Sequence, residues 1–201
     1  MKIIMILTLL GTFCLSGLYA GGYNPGDKAS DFKLKDVDGR YVSLGDYESA
    51  KGFVVVFTCN HCPYAQAYQD RLIDLNNKYL SKGFPVIAIN PNDPAVSPGD
   101  SYAEMQKRAN EKNYPFPYLF DETQAVYKMY GAERTPHIYL LKKEGNDYTV
   151  QYIGAIDNNY KDPQQVTERY LENAIDAVLA GKSPDPNQTK AIGCSIKTKQ
   201  L

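Results

Sequence analysis

Phe53-Val54-Val55-Val56-Phe57-Thr58-Cys59-Asn60-His61-Cys62-Pro63 is the stretch on which the fold turns. Three valines between two phenylalanines read as a strand buried on both faces. Beyond Pro63 the period changes. Tyr64, Tyr68, Leu72, Leu75 and Tyr79 recur at steps of three and four, with Gln66, Asp70, Asp74 and Lys78 on the other side, which predicts an amphipathic helix. Cys59 and Cys62 therefore stand where a central strand gives way to a helix.

That placement has chemical consequences. A helix start offers unpaired N–H groups and the positive end of the helix dipole, and both favour a thiolate over a thiol. An ordinary cysteine is only about 3% thiolate at neutral pH, and a pKa lower by about two units makes it mostly thiolate. On this reading Cys59, expected at the exposed end, is the nucleophile. Cys62, one turn further in, attacks the mixed disulfide on Cys59 and releases the reduced product. Pro63 is tolerated because first-turn N–H groups have no partner within the helix. The expected reaction is thiol–disulfide exchange.

A C-x-x-C pair is also half of a zinc site. The remaining cysteines and histidines are Cys14, His61, His137 and Cys194, and they form no second C-x-x-C and no H-x-x-x-H pair. Neither a metal nor a cofactor is expected. His61, between the two cysteines, is read instead as a tuner of their redox behaviour.

Working outward, the chain begins Met1-Lys2, runs apolar from Ile3 to Leu18 and reaches a small residue, Ala20, before Gly21-Gly22. A basic start, a short apolar core and a small residue describe a secretory signal peptide over 1–20, and the core is too short and broken for a membrane span. Cys14 lies inside it, and Gly11-Thr12-Phe13 does not look like a lipoprotein cleavage box. The expected localisation is export, periplasmic or otherwise extracytoplasmic in a bacterium. Residues 21–181 are read as one domain and 182–201 as an extended tail carrying Cys194. Lys and Arg number 22 against 23 Asp and Glu, so nothing in the charge points to nucleic acid or to an anionic membrane surface. Cys59, Cys62 and Cys194 leave one thiol over, which suits a working pair better than a disulfide framework.

In order, Phe32-Leu34 and Tyr41-Leu44 alternate across an Asp38-Gly39 turn, a hairpin. Phe84 to Ile89 is a second buried strand, parallel to the first. The proline- and asparagine-rich loop from Asn90 to Asp100 leaves the sheet edge where open α/β folds place their sites, as a spacer or as a substrate-facing element. Ser101–Lys112, Glu122–Met129 and about Gln165–Ala180 read as helices, Tyr114–Leu119 as extended chain. Thr135–Leu141 and Tyr148–Ile153 read as antiparallel strands.

These elements carry several further motifs: Gly26-Asp27-Lys28-Ala29, Asp38-Gly39-Arg40, Phe116-Pro117-Tyr118-Leu119 with Asp121-Glu122-Thr123-Gln124, Arg134-Thr135-Pro136, Gly154-Ala155-Ile156-Asp157 and Gly193-Cys194-Ser195-Ile196-Lys197. Together with Cys59 to Tyr64, the chain resembles the thioredoxin-fold redoxins, in their peroxiredoxin-like, AhpC/TSA-related branch carrying C-x-x-C. The resemblance covers nearly all of the chain beyond residue 20. It implies an α/β, thioredoxin-like three-layer sandwich, a central mixed sheet flanked by helices, with an N-terminal β-hairpin. It also implies that Pro136 is the cis-proline beside the C-x-x-C, with the Thr135 backbone turned towards the cysteines to pair with an extended substrate segment. The partners implied are a disulfide-containing protein or small-thiol substrate and a redox partner that resets the cysteines.

Departures from pattern open two rival readings. A thiol-dependent peroxidase places its cysteine in P-x-x-x-[TS]-x-x-C, which neither cysteine satisfies, although Arg134 is a candidate to stabilise a thiolate. A Cu(I)-binding assembly protein on the same fold spaces its cysteines one residue wider and adds a distant histidine, for which His137 is the candidate. Cys194 is either a spare thiol in a loose tail or a third redox cysteine that docks near Cys59 or Cys62.

Overall fold

The computed structural model describes residues 21–199. The expected signal peptide over 1–20, with Cys14, lies outside them. Among the described residues no helix is long and apolar enough to cross a membrane.

The central strand is β4, Gly52–Phe57, buried along its whole length because it has neighbours on both edges and helices on both faces. Lys28–Ala29 (β1), Lys33–Asp36 (β2) and Tyr41–Ser43 (β3) precede it. The helix after the cysteines is α1, Pro63–Tyr79, and it leads to β5, Val86–Asn90, parallel to β4. Tyr102–Lys112 (α2), Tyr118–Phe120 (β6) and Ala125–Tyr130 (α3) follow. Then come Arg134–Thr135 (β7), His137–Glu144 (β8), Asp147–Gly154 (β9), Tyr170–Leu179 (α4) and Cys194–Ser195 (β10). The main sheet runs β1-β9-β8-β4-β5-β6-β2-β3, with β4, β5 and β6 parallel and the other pairings antiparallel.

Alternation along β4 divides the interior in two. Val54 and Val56 face Leu72 and Leu75 of α1, Met105 of α2 and Leu171 and Ile175 of α4. Phe53, Val55 and Phe57 face Val126 and Tyr130 of α3 and Tyr139 of β8. The ring of Tyr130 meets Phe57 edge-on at 5.5 Å and Tyr139 at 5.3 Å. This is the three-layer arrangement expected.

Four expectations change in detail. The hairpin does not stand ahead of the sheet: β2 also pairs with β6, so it forms one edge of it. Extended chain at Tyr114–Leu119 ends in β6, beside β5. Helix α3 starts at Ala125 rather than Glu122, because the buried Asp121 carboxylate takes the amides of Val126 and Tyr127 while Gln124 adopts a left-handed φ of 59°. Helix α4 starts at Tyr170 rather than about Gln165. Asn158 holds Thr167 and Glu168 in extended chain by accepting both their amides, so the helical spacing of Val166 is coincidental.

The tail is not loose. It runs back across the sheet, bridging Gln188 to Ile153, and β10 pairs antiparallel with β7.

Candidate redox site

The C-x-x-C is the loop between the last residue of β4 and the first of α1. Helix α1 starts at Pro63, so Cys62 is its N-cap residue, with φ −69° and ψ 122°. Its carbonyl accepts the first intrahelical bond, from Gln66 N–H at 2.9 Å. Cys59 lies three residues before that cap. Helix-start amides reach both sulfurs, that of Cys62 acting on Cys59 and that of Ala65 on Cys62. Both sulfurs are buried, Cys59 at 3% and Cys62 at 4% exposure, so Cys59 is not the open end of the pair.

Donors converge on the Cys62 sulfur. The Cys59 thiol and the amides of Ala65 and Cys194 point at it, the Cys194 amide at 3.4 Å, and the Cys194 sulfur lies 2.6 Å away. The Cys59 hydrogen bond is the strongest of these, and together they hold Cys62 down at about 4 against the opposing effect of burial. Cys59 moves the other way. It donates to Cys62, it is buried, and the negative Asp100 stands near it, so it stays a thiol. Its sulfur also meets the Thr135 hydroxyl at 3.2 Å. Burial and its bond to Cys62 push Cys194 up to about 11. The opposite shifts of Cys62 on one side and of Cys59 and Cys194 on the other share a cause, the hydrogen bonds that join the three sulfurs.

The Thr135–Pro136 peptide is cis, as the resemblance implies. Thr135 is fully buried, and its carbonyl oxygen lies 3.0 Å from the Cys62 sulfur. Its outward strand edge does not await a substrate, because β10 occupies it: Cys194 stands opposite Thr135 and Ser195 opposite Arg134. Arg134 is exposed and donates from Nη1 to the Gly193 carbonyl at 3.1 Å, so its guanidinium holds the tail. His137 packs on Tyr139, and its Nδ1 accepts the Glu133 amide at 3.3 Å. His61 is 61% exposed, and its Nδ1 is 4.0 Å from Asp100 Oδ1. The imidazole lies flat over Gly99, where an added Cβ would fall 1.7 Å from its Cε1.

Sequence reasoning missed the frame behind the cysteines. The loop from Asn90 to Asp100 turns inward: fully buried Asp100 accepts the Asn60 amide at 2.7 Å, Asn92 Nδ2 at 2.8 Å and Ser97 Oγ at 2.6 Å. Asn60 is held further by Tyr118, which donates to its side chain at 3.0 Å, and by Gln66, which donates to its carbonyl at 2.7 Å. The same loop grips the tail. Asn92 Oδ1 accepts the Lys197 amide at 2.8 Å and the Asp93 amide donates to the Lys197 carbonyl at 2.9 Å. The available signal was a polar, proline-rich loop leaving the carboxyl end of a buried strand; its inward turn carries no pattern of its own.

Residues 25–152 match the AhpC/TSA family. A crystal structure of an uncharacterized conserved protein from Geobacillus kaustophilus is 40% identical, with a TM-score of 0.81 over 89% of this chain and 94% of that one. Thiol-disulfide oxidoreductase ResA of Geobacillus thermodenitrificans is 27% identical over 154 residues, 72% of this chain and 82% of its own length. The chloroplastic peroxiredoxin Q of Triticum aestivum is 26% identical over 160 residues, 76% of this chain and 68% of its own. A redox-class sulfur cluster on a thioredoxin-like α/β frame, and a family match over most of that frame, make this chain a member of the AhpC/TSA family.

Proposed function

We propose that this chain is an exported thiol–disulfide oxidoreductase working through Cys59 and Cys62. The observation that carries the reading is the packing of the Cys59, Cys62 and Cys194 sulfurs beside cis-Pro136, with the Cys194 sulfur 2.6 Å from that of Cys62. The Cys62 thiolate attacks one sulfur of a client disulfide, and the other client sulfur leaves with the electron pair of the broken bond. Cys59 then attacks the Cys62 sulfur of the mixed disulfide, its proton going to the departing client thiolate. The client gains two electrons, one proton from Cys59 and one from water, and the protein carries a Cys59–Cys62 disulfide until a redox partner reverses the step. His61, over Gly99 at the rim, modulates the couple, and the run up to Ala20 supports export.

The test is equilibration of the purified protein in glutathione buffers, with the Cys59–Cys62 bond read by mass. A potential near about −270 mV makes the protein a reductant of clients and one near about −120 mV an oxidant. Failure to exchange with any disulfide overturns the reading. Likeness to a peroxiredoxin Q supports peroxidase activity as the second reading, which rapid peroxide consumption by the reduced protein would favour.

A further inference from the structure

Cys194 does not behave as part of a tail that happens to pass the site. Its sulfur is 2.6 Å from that of Cys62, and a disulfide bond, about 2.05 Å, is roughly half an ångström shorter. Its segment is fixed by four hydrogen bonds to three residues. Gly193 is held by Arg134, and the Ile196 amide donates to the Glu133 carbonyl at 3.2 Å. The Lys197 carbonyl accepts from Gln124 Nε2 at 2.9 Å, and the Lys199 amide donates to Gln124 Oε1 at 2.7 Å. Ile196 is buried in the main core. At Gly193 the tail lies so close that an added Cβ would fall 2.2 Å from the Thr135 carbonyl oxygen. A chain held this closely presents one sulfur to Cys62, on the strand edge where an extended client would pair.

We propose that β10 is a tethered client: it fills the client's place beside Thr135, and Cys194 forms a disulfide with Cys62 in exchange with the Cys59–Cys62 bond. The inference rests on the exchange reaction proposed above. The Cys194 sulfur, as thiolate, attacks the Cys62 sulfur of the Cys59–Cys62 disulfide. The Cys62–Cys194 bond forms, the Cys59–Cys62 bond breaks, and Cys59 leaves with the electron pair and takes up the proton that Cys194 gave. No electrons enter or leave. The oxidising equivalent moves from a buried pair to a half-buried sulfur that a reducing partner can reach. The same bond closes the strand edge against clients until it is reduced.

The test is disulfide mapping by peptide mass on full-length protein treated with graded oxidised dithiothreitol. Wild type is expected to yield both Cys59–Cys62 and Cys62–Cys194 within one chain, and Cys59→Ser to yield Cys62–Cys194 alone. Gly193→Val keeps all three sulfurs and pushes the tail off Thr135; it is expected to lower the share of Cys62–Cys194 at least about tenfold. Wild type carrying only Cys59–Cys62 at every oxidant level, with Cys194 fully alkylated, overturns the inference and leaves the exchange reaction standing. An unchanged bond ratio in Gly193→Val overturns the role of the strand. Loss of both bonds in wild type is the different result that removes the exchange reaction itself.

Discussion

The main-chain amide of Asn60 is bonded to a carboxylate oxygen of Asp100, 2.7 Å away and forty residues on in sequence. Asp100 is fully buried and accepts from a backbone amide, an amide side chain and a hydroxyl, so its charge is spread over three donors. Removing it leaves all three without an acceptor. Asp100→Ala is expected to lower stability by about 3 kcal/mol, read from the denaturant midpoint. Asp100→Asn removes the charge that helps keep Cys59 protonated, and is expected to make the couple more oxidising by about 30 mV. An unchanged potential in that variant would mean the carboxylate only supports the loop.

Strand β4 and helix α1 were legible because burial on both faces and a helical stripe leave one-dimensional marks in the residue order. So were the hairpin at Asp38-Gly39 and the pairing of β8 with β9. The Asp100 frame was not, since a carboxylate that accepts three inward donors looks in sequence like any loop aspartate. C-x-x-C spacing does not say which cysteine caps the helix; with Pro63 as the first helical residue, Cys62 does. The tail was half legible. Gly193-Cys194 raised the idea of a third thiol, but its contact with Cys62 depends on strand pairing across more than fifty residues, which no local pattern encodes.

The depressed value of Cys62 gives a titration with a definite sign. Its pKa in the folded protein, about 4, lies below that of a free cysteine. The stability it contributes is thus complete above the unfolded value of about 8.5 and is lost as pH falls towards the folded one. Thiolate absorbance of the reduced protein is expected to persist at neutral pH and to disappear with a midpoint near about 4. Cys62→Ser should abolish the signal. Cys59→Ala should raise the midpoint, because a main donor to the thiolate is gone. A neutral-pH signal that survives Cys62→Ser would place the charge on another sulfur.

His61 can be tested through its neighbour as well as directly. Its ring covers Gly99 so closely that Gly99→Ala must displace the imidazole. If the ring tunes the cysteines from that position, His61→Ala and Gly99→Ala should move the Cys59/Cys62 potential in the same direction, towards a more reducing couple, by about 30 mV each. The double variant should add little to either alone, since both remove one interaction. Potentials equal to wild type in His61→Ala would reduce His61 to a rim residue.

His137 makes a separate prediction on the acid side. Burial, reinforced by the positive charge of Arg134, lowers its pKa from 6.5 to about 4, so the folded protein favours the neutral ring. The sign follows directly: a neutral-preferring histidine contributes stability fully above its unfolded pKa and loses it as pH falls towards its folded one. Nδ1 is engaged as acceptor of the Glu133 amide, and protonation there would turn that contact into two donors facing each other. His137→Gln keeps an acceptor of similar reach and does not charge. It is therefore expected to lose about 2 kcal/mol less stability than wild type between neutral pH and about pH 4, read from denaturant midpoints at matched pH. Parallel pH curves for the two proteins would show that the ring is already charged, or already wet, in the folded state.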